Sequence, residues 1–168
     1  MEIWDGYFKD GSLSGIDLIR GKEIPRGQYH LVCEVLVKHL DGSYLLMQRD
    51  NSKPNYPGYF EATAGGSALK GENKIACIKR ELLEETGITS DNFEQKAYNV
   101  CDDDQCIFYS FLCVTNCVKR NIKLQKGETI SFKWLRKEEF IEFINSDEVI
   151  ETQIKRQTDY FKTREFLS

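Results

Sequence analysis

The sequence predicts a mixed α/β or α+β fold, because strand-like and helix-like patterns are interleaved along the chain. Three observations carry this. Apolar runs rich in β-branched and aromatic residues recur at 30–37, 44–49, 106–114 and 129–135. Helix-period segments lie at 73–86, 137–144 and 147–165. Glycine, proline and aspartate turn signals separate the two kinds of segment. The 168 residues suit one ordinary domain, and 40% hydrophobic with 30% charged residues allows a sizeable core without indicating disorder.

The elements follow in order. Residues 1–28 carry turn signals at Asp10-Gly11 and Ser14-Gly15 and read as a small N-terminal hairpin, followed by a loop ending at Pro25-Arg26-Gly27. A strand then starts at His30, and Asp41-Gly42 turns it into a second strand, Tyr44 to Arg49. Pro54, Pro57 and Gly58 mark a loop over 50–59. Tyr59 to Ala64 reads as a short strand broken by Gly65-Gly66. Asn73 to Thr86 is helical and stops at Gly87, a C-cap glycine. Strands follow around 96–100, 106–114 and 129–135, then helices over 137–144 and 147–165. No repeat, low-complexity tract or linker interrupts 1–168, which we read as a single domain.

The charge balance is 23 basic against 27 acidic residues, a net −4, which argues against a broad basic surface for nucleic acid or an anionic membrane. No apolar run approaches the roughly 20 residues of a membrane helix. The segment Met1 to Gly6 lacks the basic and apolar regions of a signal peptide. Six cysteines, at 33, 77, 101, 106, 113 and 117, form no Cys-x-x-Cys pair, so zinc spacing is absent. Those between Cys101 and Cys117 are dense enough to consider disulfides. Cys106 and Cys113 fall in a strand-like run and Cys77 in a helical pattern, which favours free, mostly buried thiols in a reducing cytosol. The expected location is therefore cytoplasmic.

The chemistry concentrates in residues 66–88. Helical residues advance by about 100° each, so Glu81, Glu84 and Glu85 share one arc. Ile75, Ile78 and Leu82 fall on an adjoining arc that would bury against a sheet. Three carboxylates repel one another there, and the helix dipole near the C-terminal end adds to the penalty. A divalent cation relieves both. Mg²⁺ is a hard ion that takes carboxylate, phosphate and water oxygens, and a carboxylate not wholly used by metal can accept a proton from an attacking water. Gly65-Gly66 permits a backbone conformation closed to other residues and lets a carbonyl face the metal. Arg80 can pair with Glu72 across the loop, and Gly87 ends the helix. The competing reading of Glu-x-x-Glu-Glu alone is a solvated acidic face.

The whole segment decides between them. It reads Gly66-x5-Glu72-x7-Arg80-Glu81-Leu82-x-Glu84-Glu85-x-Gly87-Ile88, and resembles the Nudix box at every position. The resemblance implies an α/β/α sandwich around a central mixed sheet and Mg²⁺- or Mn²⁺-dependent hydrolysis of a diphosphate linkage in a nucleoside diphosphate derivative or similar small molecule. It implies Glu81, Glu84 and Glu85 as metal carboxylates with the Gly65 carbonyl as a further ligand. Glu84 or Glu81 would also act as base. Gly66, Glu72, Arg80 and Gly87 would support the site structurally. Dimers are common in the family, so a homodimer is expected.

A narrower similarity is to the isopentenyl-diphosphate-isomerase-like branch, on Tyr29-His30, Gln48-Arg49 and Tyr59-Phe60-Glu61-Ala62-Thr63-Ala64-Gly65. The isomerases carry a reactive cysteine and a histidine where this chain has Ala64 and Gly66. Carbon chemistry needs a proton donor or acceptor there, so hydrolysis is preferred. The alternatives are a non-catalytic ligand-binding module and a prenyl-diphosphate isomerase relative.

Weaker candidates surround the box. Asp102-Asp103-Asp104 is either a further set of metal carboxylates or, slightly favoured, a solvated turn. Glu128 is either an additional site acid or a surface turn. Arg49 either holds a substrate phosphate, since guanidinium matches phosphate geometry, or is a surface arginine at a strand end. Tyr56, Tyr59 and Phe60 could stack on a base, with at least one in the core. His30 and Trp134 read as structural.

Overall fold

The structure, a computed structural model, describes residues 1–167. Strands β1 (Ile3–Tyr7) and β2 (Leu13–Ile19) form an antiparallel hairpin. The main sheet contains β3 (His30–His39), β4 (Tyr44–Arg49), β5 (Phe60–Glu61), β6 (Thr63–Ser67), β7 (Glu94–Cys101), β8 (Cys106–Thr115) and β9 (Thr129–Leu135). The helices are α1 (Lys74–Thr86), α2 (Lys137–Ile144), α3 (Glu151–Arg156) and α4 (Thr158–Thr163).

The sheet is mixed, and β3 organises it. Along its length β3 pairs in parallel with β8, and antiparallel with β6 over Val32 to Leu36. Its far end meets β4, which carries β5 and β9, while β8 carries β7 on its other side. A parallel β3–β8 pair needs a long crossover, and α1 lies in it.

Alternation along the strands creates two cores. Leu31, Cys33, Val35, Val37, Leu45 and Met47 face α1 and pack with its Cys77, Ile78 and Leu82. Leu36, Tyr44 and Leu46 face the other way, into the aromatic cluster of Phe140, Phe143, Tyr160, Phe161 and Phe166 contributed by α2, α4 and the chain after it. A strand with both faces covered is apolar at consecutive positions, which is why β3 and β4 read as unbroken hydrophobic runs. The result is a sheet between two helical layers.

Two expectations need correction. Gly65 and Gly66 do not break the strand but lie inside β6, and neither has a positive φ. Their requirement is space rather than unusual dihedrals. A Cβ on Gly65 would lie 2.1 Å from the Cys33 carbonyl oxygen of the paired strand, and one on Gly66 would lie 2.5 Å from Glu81 Oε1. The 147–165 segment is two short helices rather than one. The first ends at Arg156, and Gln157 adopts φ −112°, ψ 15° before the second begins. Trp134 is half-buried against the α1-side core, its Nε1 donating to the Lys119 carbonyl at 3.3 Å. All six cysteines are free, four of them buried. Among the described residues no helix is long and apolar enough to cross a membrane.

Candidate active site

Helix α1 is held at both ends. Asn73 caps it by accepting from the Ile75 and Ala76 amides at 3.0 and 2.9 Å. Gly87 follows in the left-handed region at φ 73°, donating to the Leu83 carbonyl at 2.9 Å. Ile78 and Leu82 are completely buried and Ile75 is partly buried, which fixes the rotation of the helix. That rotation carries Glu81, Glu84 and Glu85 to the edge of the core, where they line a cavity of about 360 Å³ with Gly65, Gly66 and Ser67 of β6.

The three glutamates are not equivalent. Glu81 and Glu85 are 9% and 8% exposed, whereas Glu84 is exposed. Burial, with the nearby Glu61 and Glu81 carboxylates, pushes the Glu85 carboxyl well above the usual range. One hydrogen bond opposes this shift, from the Gly65 amide to Glu85 Oε2 at 3.2 Å. Burial also raises Glu81, against the opposing effect of Arg80.

Arg80 ties the segment together. It donates to both Glu72 oxygens at 2.7 and 2.8 Å, to Glu81 at 2.6 Å, to Glu84 at 3.2 Å and to the Ser67 carbonyl at 3.0 Å. Those bonds hold the Glu72 carboxyl below its ordinary range. Glu72 also accepts from the Leu69 amide at 2.9 Å, so the loop before α1 is pinned to the helix.

Among the described residues, no three His, Cys, Asp or Glu side chains already form a metal cage. Glu81 is turned to Arg80 and Glu85 to the Gly65 amide. The donor set nevertheless fits a hard divalent cation, since it offers two buried carboxylates and a third at the mouth. The Gly65 N–H points away from β3, to Glu85, and in an extended antiparallel strand the carbonyl of the same residue points to the same side. A buried carboxylate with one amide partner and like-charged neighbours is stabilised by a cation.

The other singled-out residues divide. Glu128 lines the cavity, paired with Lys53, which lines it too. Arg49 does not line it. Its guanidinium donates to Glu61 at 3.1 Å and to the Asn55 carbonyl at 3.1 Å. Asp102 pairs with Lys9 and the Tyr29 hydroxyl, each at 2.6 Å, and Asp102, Asp103 and Asp104 lie outside the cavity in a turn. His30 stacks on Trp4 at 4.4 Å. Tyr56 and Tyr59 are exposed and meet edge-on at 5.5 Å, while Phe60 packs on the α2–α4 side.

Sequence reasoning assigned no role to Glu61, Lys53, Gln125, Glu2 or Arg20. Glu61 is the one with a usable signal, a charged residue between Phe60 and Ala62; burial raises it and Arg49 opposes that. Lys53, Gln125, Glu2 and Arg20 reach the cavity from loops and the hairpin, where no local pattern marks them.

Comparisons with known proteins agree with this geometry. Residues 29–156 match the family model described as the NUDIX domain. The uncharacterised Nudix hydrolase lmo0368 of Listeria monocytogenes is 32% identical over 151 residues, 89% of each chain. Among solved structures, DR0079 from Deinococcus radiodurans superposes with a TM-score of 0.68 at 17% identity, covering 85% of this chain and 88% of that one. The MutT protein from Methanosarcina mazei Go1 superposes at 0.63 with 19% identity, covering 81% and 95%. The mixed sheet between helical layers and the complete glutamate segment thus have one common explanation: the chain belongs to the Nudix hydrolase family.

Proposed function

We propose that this protein hydrolyses a diphosphate linkage in a small molecule, a nucleoside diphosphate derivative or a related compound, in the presence of Mg²⁺ or Mn²⁺. The observation that carries the reading is the pair of buried carboxylates, Glu81 and Glu85, beside the exposed Glu84 in one cavity without a matching buried cation for Glu85. Glu81, Glu84, Glu85 and the Gly65 carbonyl would hold a divalent ion. Bound there, it supplies charge neutralisation at the phosphoryl oxygens and a more acidic water.

The chain's own residues do the rest. Glu84 has solvent access and only a 3.2 Å bond from Arg80, so it is free to accept a proton from the attacking water. Glu81 is the second candidate for that role, more tightly held by Arg80 at 2.6 Å. Arg80 and Glu72 keep the helix and its preceding loop in register, which positions the carboxylates before substrate arrives. Carbon chemistry of the isomerase kind finds no support, because Ala64 is buried at 2% exposure and bears no titratable group.

The test is a panel of nucleotide sugars, dinucleotides and modified nucleoside triphosphates, with Mg²⁺ or Mn²⁺ and with chelator. The expected result is turnover of at least one member that disappears on chelation. Tight binding across the panel with no turnover would overturn the reading in favour of a sensor.

A further inference from the structure

The matched domain begins at residue 29, yet the cavity does not end there. Glu2, just before β1, and Arg20, just after β2, lie side by side at the open end of the N-terminal hairpin and also line it. The hairpin is seated on the loop before α1. The Lys70 amide donates to the Ile3 carbonyl at 2.8 Å, the Gly71 amide to Asp5 Oδ2 at 2.7 Å, and Lys70 Nζ to Asp17 at 2.5 Å. Trp4 stacks on His30, and Tyr7 and Tyr29 exchange backbone bonds at 2.9 Å. Arg20 therefore has a defined place relative to the glutamates, though the hairpin it follows is a separate sheet.

The cavity's three cations are in different states. Arg80 is used by Glu72, Glu81, Glu84 and Ser67. Lys53 is paired with Glu128. The Arg20 side chain makes one bond, from Nη1 to Glu2 Oε2 at 2.8 Å, and is 64% exposed. Among the described residues its remaining guanidinium donors have no partner. Glu2 is itself oriented by the Trp4 indole, which donates to it at 2.7 Å. A carboxylate gripping one side of a guanidinium leaves the other donors presented as a fork, the geometry that matches phosphate.

We infer that Arg20 is a specificity-determining residue that binds a phosphate of the substrate beyond the linkage being cleaved. The inference rests on the hydrolase reading. The hairpin then acts as one wall of the substrate site, and the favoured substrates carry a further phosphate on the side facing it. The acids of the cavity, Glu2, Glu81, Glu84, Glu85 and Glu128, outnumber its bases, so a bound divalent ion offsets part of that excess at the box while Arg20 serves the outer group.

The experiment uses the full chain with Ca²⁺, which takes the same oxygen donors, and isothermal titration with pyrophosphate and tripolyphosphate. Wild type is expected to bind tripolyphosphate more tightly. Arg20→Ala should lose about tenfold or more for tripolyphosphate, the scale of one charged hydrogen bond, and distinctly less for pyrophosphate. Arg20→Lys should recover part of the loss and Arg20→Glu should deepen it. The thermal midpoint should stay close to wild type in all three, since an exposed ion pair contributes little. An unchanged preference in Arg20→Ala, an equal loss for both anions, or no tripolyphosphate preference in wild type would overturn the inference. If the substrate panel turns over and Arg20 proves irrelevant, only this inference fails; if nothing in the panel turns over, the hydrolase reading fails with it.

Discussion

Glu34 and Glu85 approach Gly65 from opposite faces of the sheet, and their surroundings could hardly differ more. Glu34 faces Gly65 across the β3–β6 pairing and is 4% exposed. It accepts from Arg156 Nε and Nη2 at 3.1 and 2.6 Å, from the Ser110 hydroxyl at 2.6 Å and from Gln157 at 3.4 Å. Glu85, 8% exposed, has one amide at 3.2 Å and carboxylates for neighbours. Glu34 is a buried charge fully provided for by the protein. Glu85 is a buried charge for which the protein makes no such provision. The chain supplies one buried carboxylate with a cation and two further donors, and the other with a single amide.

Two substitutions sharpen that contrast. Glu85→Gln is expected to lower turnover with Mg²⁺ by roughly 10³-fold, the scale of several kcal/mol of lost charge stabilisation, with the fold retained by circular dichroism. Turnover unchanged in that variant would remove Glu85 from the site. Arg156→Met should do the reverse. It strands Glu34 without its cation, and denaturant titration should show a loss of about 3–5 kcal/mol. The double change Glu34→Gln with Arg156→Met should recover most of that stability, which separates a stranded charge from poor packing.

Periodicity and capping made much of this architecture readable. The strands 44–49 and 129–135 and the helix 137–144 fall where the patterns place them, and Gly87 ends α1 in the left-handed region its position suggests. These signals are local, and so is the spacing that puts three glutamates on one arc. Legibility failed where the information is tertiary. The apolar period over 147–165 continues through Gln157 because Ile154, Tyr160 and Phe161 all enter one core; period reports the buried face, not the continuity of the axis. That Arg49 pairs with Glu61 is visible only from the packing of β5 on β4. Arg20 and Glu2 reach the cavity through the docking of a separate hairpin, which no spacing near the box announces.

The two adjacent glycines split the same way. Gly65→Ala sets a Cβ 2.1 Å from a backbone oxygen and 2.7 Å from Glu34 Cα, neither of which can move cheaply. It should cost about 1–3 kcal/mol of stability, the range for overpacking. Gly66→Ala meets only the end of the Glu81 side chain, at 2.5 Å, and a side chain can swing aside. It should leave the thermal midpoint nearly unchanged while lowering turnover by about tenfold, the scale on which small displacements of positioned groups act. Equal effects of the two variants on stability would mean that Glu81 is held as rigidly as backbone.

The smallest expected effect bears most directly on Glu85, and it appears in metal-free protein. Burial first, and the Glu61 and Glu81 carboxylates after it, raise this carboxyl above its ordinary value of 4.5, so the fold favours its protonated form. Well below pH 4.5 the proton is held in folded and unfolded states alike, and the penalty is absent. As pH rises from there, the unfolded chain releases the proton first, and this contribution to stability is lost until the folded carboxyl ionises too. Glutamine cannot ionise, and other titrating groups, His30 among them, are common to both proteins. In chelator, the melting temperature of Glu85→Gln minus that of wild type should therefore widen between pH 4.5 and neutrality, by about 2–4 °C for each kcal/mol. Adding Mg²⁺ at neutral pH should close the gap by stabilising wild type. A difference that is flat with pH would mean that Glu85 is as well provided for as Glu34.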